Sequence, residues 1–179
     1  MKIKTIFAIT LALSVSGLFA AEKEVVLPQS VLDLHTKACP EFVERETTDY
    51  KAYKEEFKLP KSQDSKVGPT LYIVGCEMYA YNSLEKAYIV DAYETKMVSV
   101  AEVIADGSIF ATSDLMGAGF NPENNTLSTF SKGRGLGDCG QSATYTYNAE
   151  YSKFALTEAR DKQECDGEYD AEWPVVYKK

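Results

Sequence analysis

The stretch VAEVIADGSIFAT, residues 100–112, decides the fold. Val100 to Ala105 and Ser108 to Thr112 are rich in β-branched and aromatic residues. Asp106-Gly107 between them supplies the positive φ angles of a two-residue hairpin turn. A helix through Val98 to Ala105 is the competing reading, and the Asp-Gly pair decides for the hairpin. Working towards the C-terminus, Asn121 to Asn125 reads as a turn and Thr126 to Ser131 as a strand. Ala143 to Tyr147 and Tyr151 to Thr157 read as a hairpin about Asn148-Ala149-Glu150, and Trp173 to Tyr177 as a last strand. Working towards the N-terminus, Thr70 to Cys76 and Ala87 to Tyr93 are short runs of the same composition, bounded by turn formers.

Before Pro69 the pattern changes. Lys61 to Gly68 is a polar loop. Pro40 to Phe57 reads as helical: Pro40 suits a first-turn position, Phe42, Val43, Tyr50, Tyr53 and Phe57 recur near helical spacing, and Leu59-Pro60 ends the run. Thr47, Thr48 and Asp49 divide it. Residues 22–37 form an extended arm or a short helix around Val31, Leu32 and Leu34. The expected architecture is mainly β, a compact antiparallel domain of sandwich or barrel type over residues 69–179, preceded by an N-terminal arm and helical segment over residues 21–68.

Composition bounds the function. The chain has 179 residues, 45% of them hydrophobic and 12% aromatic, which is enough for one packed core. A formal charge of −8 leaves no basic field for phosphates, so nucleic acid is a poor partner. A single histidine, His35, excludes histidine-rich metal sites and leaves imidazole catalysis one candidate, best read as a surface or packed residue. No cofactor is implied.

Residues 1–20 read as a secretory leader: Lys2 and Lys4 open it, an apolar run from Ile6 to Leu18 follows, and small residues Ala20 and Ala21 close it before Glu22-Lys23-Glu24. The run is too short to span a bilayer. The expected location is periplasmic or secreted, and loss of the leader carries away two lysines and leaves the chain more acidic still. Cys39, Cys76, Cys139 and Cys165 all lie beyond it, an even number in a chain sent to an oxidising space. Three connectivities are open. Cys39 with Cys76 and Cys139 with Cys165 is favoured, because each pair lies within what reads as one contiguous segment.

Two stretches, VGCEMYAYN at residues 74–82 and SKGRGLGDCG at residues 131–140, together with FALT at 154–157, ECDG at 164–167 and Trp173-Pro174, resemble the bacterial exported family catalogued as domain of unknown function 1176, DUF1176. The likeness runs from about Pro69 to Tyr177, and more loosely back to Cys39. It implies export, cysteine pairing and a compact fold. It implies no chemistry, since that family has no established activity. Gly75 stands where the family usually has proline, and Asp166 where it commonly has arginine.

Four of the eleven glycines fall between Gly133 and Gly140, and Gly135 to Gly140 matches G-x-G-x-x-G. A dinucleotide fingerprint needs a helix after the glycines, and Gln141 to Tyr147 reads as turn and strand. The stretch is therefore read as a sharp bend tied down by Cys139. Arg134 and Asp138 form a structural ion pair or a loop cap in it, or Arg134 presents its fork to a carboxylate ligand. Tyr79 with Tyr81, and Tyr145 with Tyr147, stand two apart, which on a strand puts each pair on one face, for core packing or for an exposed aromatic surface. Arg134, Asp138, Tyr79, Tyr81 and Asn82 are the candidate binding residues. The acidic stretch Asp161, Glu164, Asp166, Glu168, Asp170, Glu172 reads as a solvated rim; as an EF-hand from Asp166 it fails, with Ala171 sixth and Tyr177 twelfth.

Two functions from different classes remain, beside a purely structural envelope protein. The leading one is a binding module for a cationic envelope protein, or for a small carboxylate or saccharide ligand. The other is a carboxylate-based hydrolase of envelope polymers, which requires two carboxylates on one cleft.

Overall fold

Thr70 to Cys76 are buried without a break, the mark of a strand covered on both faces, and the architecture follows from what covers them. A computed structural model describes residues 24–46, 52–169 and 173–179. The leader expected over residues 1–20, the break at Thr47 to Asp49, Tyr50, and the acidic Asp170 and Glu172 lie outside the described residues.

In chain order the elements are α1 (Gln29–Ala38), α2 (Phe42–Glu46), β1 (Lys54–Lys58), β2 (Thr70–Met78), β3 (Ser83–Val90), β4 (Thr95–Met97), β5 (Val100–Val103) and β6 (Ile109–Thr112). There follow β7 (Leu115–Met116), β8 (Gly119–Asn121), β9 (Thr126–Lys132), β10 (Gly140–Asn148), β11 (Lys153–Lys162) and β12 (Val175–Lys178). One sheet runs β1-β2-β3-β4, with β7 pairing β3; a second runs β12-β11-β10-β9-β8; β5 and β6 form a separate ribbon. All pairings are antiparallel. The protein is mainly β, as the turn and strand signals imply.

Alternation of side chains along a strand builds three layers. Leu71 and Ile73 of β2, with Ala87 and Ile89 of β3, enter one core with Leu127, Tyr145, Tyr147, Phe154 and Leu156 of the second sheet. Their neighbours Tyr72, Val74, Cys76, Leu84 and Tyr88 point the other way, onto Leu27, Val31, Cys39 and Phe42. The first sheet is thus sandwiched between the N-terminal helices and the second sheet. Val31 and His35, four apart on α1, are its buried face.

The 100–112 hairpin forms, with a different turn. Gly107 N–H donates to the Ile104 carbonyl and Ile104 N–H to the Ser108 carbonyl, and only Gly107, at φ +84°, takes positive φ. The loop is a type I turn closed by a glycine in the left-handed region, three residues where the Asp-Gly pair promised two. The helix expected from Pro40 to Phe57 is corrected more deeply. Residues 42–46 are one short helix, and Lys54 to Lys58 are an edge strand in register with β2, Phe57 facing Leu71. A charged edge strand shows no long apolar run, so two aromatics four residues apart were enough to imitate a helix.

Both cysteine pairs form as favoured: Cys39 with Cys76 and Cys139 with Cys165, at Cα separations of 5.4 and 4.9 Å, within the usual range for a bridge. The first joins the end of α1 to β2; the second joins the glycine bend to the segment after β11. Among the described residues no helix is long and apolar enough to cross a membrane.

Candidate functional site

The glycine bend is built before it is functional. Gly133 N–H donates to the Cys139 carbonyl at 2.9 Å, and a Cβ on Gly133 would stand 2.7 Å from the Cys139 sulfur. Gly140, at φ +142°, runs so close to β9 that a Cβ there would lie 2.0 Å from the Ser131 carbonyl oxygen. No side chain fits either place, which accounts for the density of glycine.

Inside the bend Arg134 grips Asp138 with two donors, Nε to Oδ1 at 2.8 Å and Nη2 to Oδ2. Gly167 N–H adds a third bond to Oδ2 at 2.6 Å. Asp138 is wholly buried while the Arg134 side chain keeps 41% exposure. The Arg134 hydrogen bonds, aided by the Gly167 amide, hold the Asp138 carboxyl well below the usual carboxylate range. Asp138 therefore occupies the edge of the guanidinium that a carboxylate ligand would use, and its bond to Gly167 fastens the bend beside the Cys139–Cys165 bridge.

Tyr79 and Tyr81 do not lie on a strand. They belong to the reverse turn between β2 and β3, closed by Tyr79 N–H donating to the Asn82 carbonyl at 2.8 Å. Both rings are exposed, 49% and 59%. Tyr145 and Tyr147, by contrast, alternate inward on β10 and are core. Asn82 fixes the turn to the second sheet: its Nδ2 donates to the Lys132 carbonyl at 2.9 Å and its Oδ1 accepts from the Lys132 amide at 2.8 Å. It pairs with the end of β9 as a strand residue would. Tyr81 then lies against Gly135, where a Cβ would meet its ring carbons at 2.6 Å. Leu136, 60% exposed, follows directly. Thus Tyr81, Asn82 and the Arg134–Asp138 bend form one corner. Tyr79 shares the turn and faces acidic groups: its hydroxyl donates to Glu77 at 2.6 Å, which raises its pKa, with Asp114 and Glu41 acting in the same direction.

A cleft of about 60 Å³ lies between the β5–β6 ribbon, β7 and the second sheet, lined by Glu102, Asp114, Thr129, Ser131, Gln141 and Tyr145 among others. It does not include Arg134, Tyr79 or Tyr81. Burial raises the Glu102 pKa, and the negative charge of Asp114 raises it further. Asp114 is paired with Lys86, the residue directly opposite it where the β3–β7 register is continued by one step. Sequence reasoning missed Glu102, which has no motif; it is half-buried only because the ribbon folds onto the second sheet.

His35 is packed and wholly buried. Its Nδ1 lies 2.9 Å from the Tyr88 hydroxyl and its Nε2 3.2 Å from the Gly75 carbonyl, so Nε2 carries the proton and Nδ1 accepts. Burial lowers its pKa to about 4, with Lys86 acting in the same direction. In the acidic stretch, Asp161 is buried against the Gln141 amide and Asp166 pairs with Lys162. Among the described residues no group of three His, Cys, Asp or Glu is placed to hold a metal ion.

A cross-linked three-layer β domain with a glycine-built corner is the class this geometry defines. The family model described as protein of unknown function (DUF1176) matches residues 12–179, and the chain belongs to that family. It is 29% identical over 111 residues to the uncharacterized protein YpfG of Escherichia coli (strain K12), a match covering 60% of this chain and 31% of that protein. The chain therefore spans about a third of the length of this curated relative. No solved structure matches it.

Proposed function

We propose that the protein is exported to the periplasm or secreted and works there as a binding module for a cationic protein or envelope component. The observation that carries this reading is the corner at Tyr79, Tyr81 and Leu136: two exposed tyrosines on a turn that Asn82 clamps, beside Glu77, and an exposed leucine on the adjoining bend. Exposed tyrosines on a fixed backbone give large contact area at little entropic cost, and nearby carboxylates favour a partner rich in lysine or arginine. The charge of −8 extends the same preference over the whole surface. The Arg134 fork is engaged by Asp138, so a carboxylate ligand has less to offer here than a cation. The test is capture from envelope extract at low salt. Partners should be basic, released on raising the salt, and lost with Tyr79→Ala plus Tyr81→Ala; capture that is indifferent to salt and to both tyrosines overturns the reading.

One observation favours the hydrolase reading. Glu102, with its raised pKa, and Asp114, which contacts Lys86, line one cleft, and a pair of carboxylates in unlike surroundings is what acid and base need. At about 60 Å³ the cleft is far below the roughly 300 Å³ at which small-molecule sites begin, so no sugar ring fits without the ribbon moving. Turnover of an envelope polysaccharide that Glu102→Gln abolishes would carry this reading past the first.

A further inference from the structure

We propose that the cleft between the β5–β6 ribbon and the second sheet is a socket for a primary ammonium group, the tip of a lysine side chain of a bound partner, with Glu102 as its counter-charge. The inference rests on the binding-module reading above and names the group that the partner inserts.

The cleft suits that group in size, donors and charge. About 60 Å³ is two waters' share of liquid volume, enough for an ammonium and the methylene that carries it and a looser fit for that group than for the wider, planar guanidinium. Its lining mixes apolar residues such as Val103, Leu115 and Met116 with the hydroxyl-bearing Thr129, Ser131 and Tyr145, the last hydrogen-bonded to Thr129, and with Glu102. An ammonium has three donors and no acceptor, so hydroxyl-bearing residues beside the Glu102 carboxylate complement its head while the apolar residues suit its methylene. The charges are unbalanced in the direction this requires. Asp114 is met by Lys86, and Arg160, although it borders the cleft, directs Nε to Glu158 at 2.6 Å and Nη1 to the Trp173 carbonyl at 3.0 Å. Among the described residues the only charge that acts on Glu102 is that of Asp114, of its own sign. A half-buried carboxylate left this way gains most from an incoming cation.

Position supports the same occupant. Met116 of β7 lines the cleft and pairs with Leu84 of β3, which pairs in turn with Glu77 of β2, the acceptor for Tyr79. Asp114 borders the cleft and acts electrostatically on Tyr79 as well. The tyrosine corner and the cleft are thus two strands apart, near enough for a single basic segment to send one lysine into the cleft while its neighbours meet the rings.

The probe is Nα-acetyl-lysine-methylamide, with the matching arginine and norleucine derivatives as controls, followed by methyl NMR at Met116, Val103 and Leu115 of the folded protein. Saturable shifts with the lysine probe, at least tenfold weaker with the arginine and norleucine probes and lost in Glu102→Gln, are the expected result. Glu102→Asp, which keeps the charge and withdraws it by one methylene, should retain weakened binding. Absence of shifts, or equal shifts in Glu102→Gln, overturns the socket. Partner capture by Glu102→Gln separates the two ideas: undiminished tyrosine-dependent capture with a silent lysine probe refutes the socket alone, whereas lysine binding without any salt-sensitive capture refutes the binding-module reading.

Discussion

Cys39–Cys76 and Cys139–Cys165 close loops of 37 and 26 residues, yet the surroundings of the two bridges differ in kind. Both sulfurs of the first lie in the apolar layer under α1, beside Val31, Phe42 and the uncharged His35. The second joins a buried Cys139 to an exposed Cys165, beside a buried ionised Asp138 and a half-exposed Arg134. One end of the molecule is held by an apolar layer that excludes water, with Lys54 and Glu46 paired at its margin, the other by covalent and ionic ties around a loop that packing alone does not fold. The candidate binding residues gather at the second kind of end. A loop fastened by its own bonds leaves its outer side chains, Leu136 and the adjoining Tyr81, uncommitted to the core.

The sharpest break of this comparison is to remove the bridges one at a time. By chain entropy alone each is worth about 3 to 4 kcal/mol, nearly equal for loops of these lengths. Cys39→Ala with Cys76→Ala should cost more than Cys139→Ala with Cys165→Ala, because it also hollows a buried apolar layer, where deleted volume adds a cavity cost. Urea unfolding of the two double variants measures the gap. Mild reductant on the folded protein should open Cys139–Cys165 first, since only that bridge has an exposed sulfur; mass spectrometry after alkylation reads the order. Equal losses and simultaneous opening would erase the distinction between the two ends.

Acid separates the ends next. His35 titrates near 6.5 when unfolded and about 4 in the fold, so its contribution is complete above pH 6.5 and disappears as pH falls towards 4, about 3 kcal/mol in all. The folded pKa of Asp138 is depressed, so its contribution is complete above the unfolded value near 3.9 and is lost only below it. Glu102 has the opposite sign: its raised folded pKa makes the fold relatively more stable as the group protonates, partly masking the histidine. The urea midpoint should decline between pH 6.5 and 5, and His35→Gln should flatten that decline while leaving the limb below pH 4 in place. An unchanged decline in the variant would mean that the buried layer is not the acid-labile end.

How much of this was legible in the chain follows the same division. The turn at Asp106-Gly107 was readable because a left-handed glycine is a local demand, and the Arg134–Asp138 pair because opposite charges four residues apart in a glycine-rich bend are within reach of each other. The even cysteine count and the contiguity of each pair were enough to favour the right bridges. β1 was not legible: Lys54-Glu55-Glu56-Phe57-Lys58 is a strand only because β2 offers it an edge. β4 and β7, of three and two residues, are too short for any period to register. Glu102 and the Asn82 clamp depend on contacts between segments far apart in sequence, and no window along the chain contains both partners.

Asn82 supplies the smallest prediction and the most discriminating. Its two bonds to the Lys132 backbone span 50 residues and tie the tyrosine turn of the first sheet to the glycine bend of the second. At about 1 kcal/mol for a typical net hydrogen bond, Asn82→Ala should cost about 1 to 2 kcal/mol. Asn82→Asp keeps the acceptor for the Lys132 amide but sets an anion against the Lys132 carbonyl, so it should cost at least as much although it is nearly isosteric. If the corner is one rigid unit, both variants also weaken partner capture, because Tyr81 loses the support that holds it on Gly135, while the tyrosine-to-alanine changes leave the urea midpoint where it was. A normal urea midpoint in Asn82→Ala, or full capture despite a lowered one, would separate the turn from the bend and return the glycine-rich loop to a purely structural role.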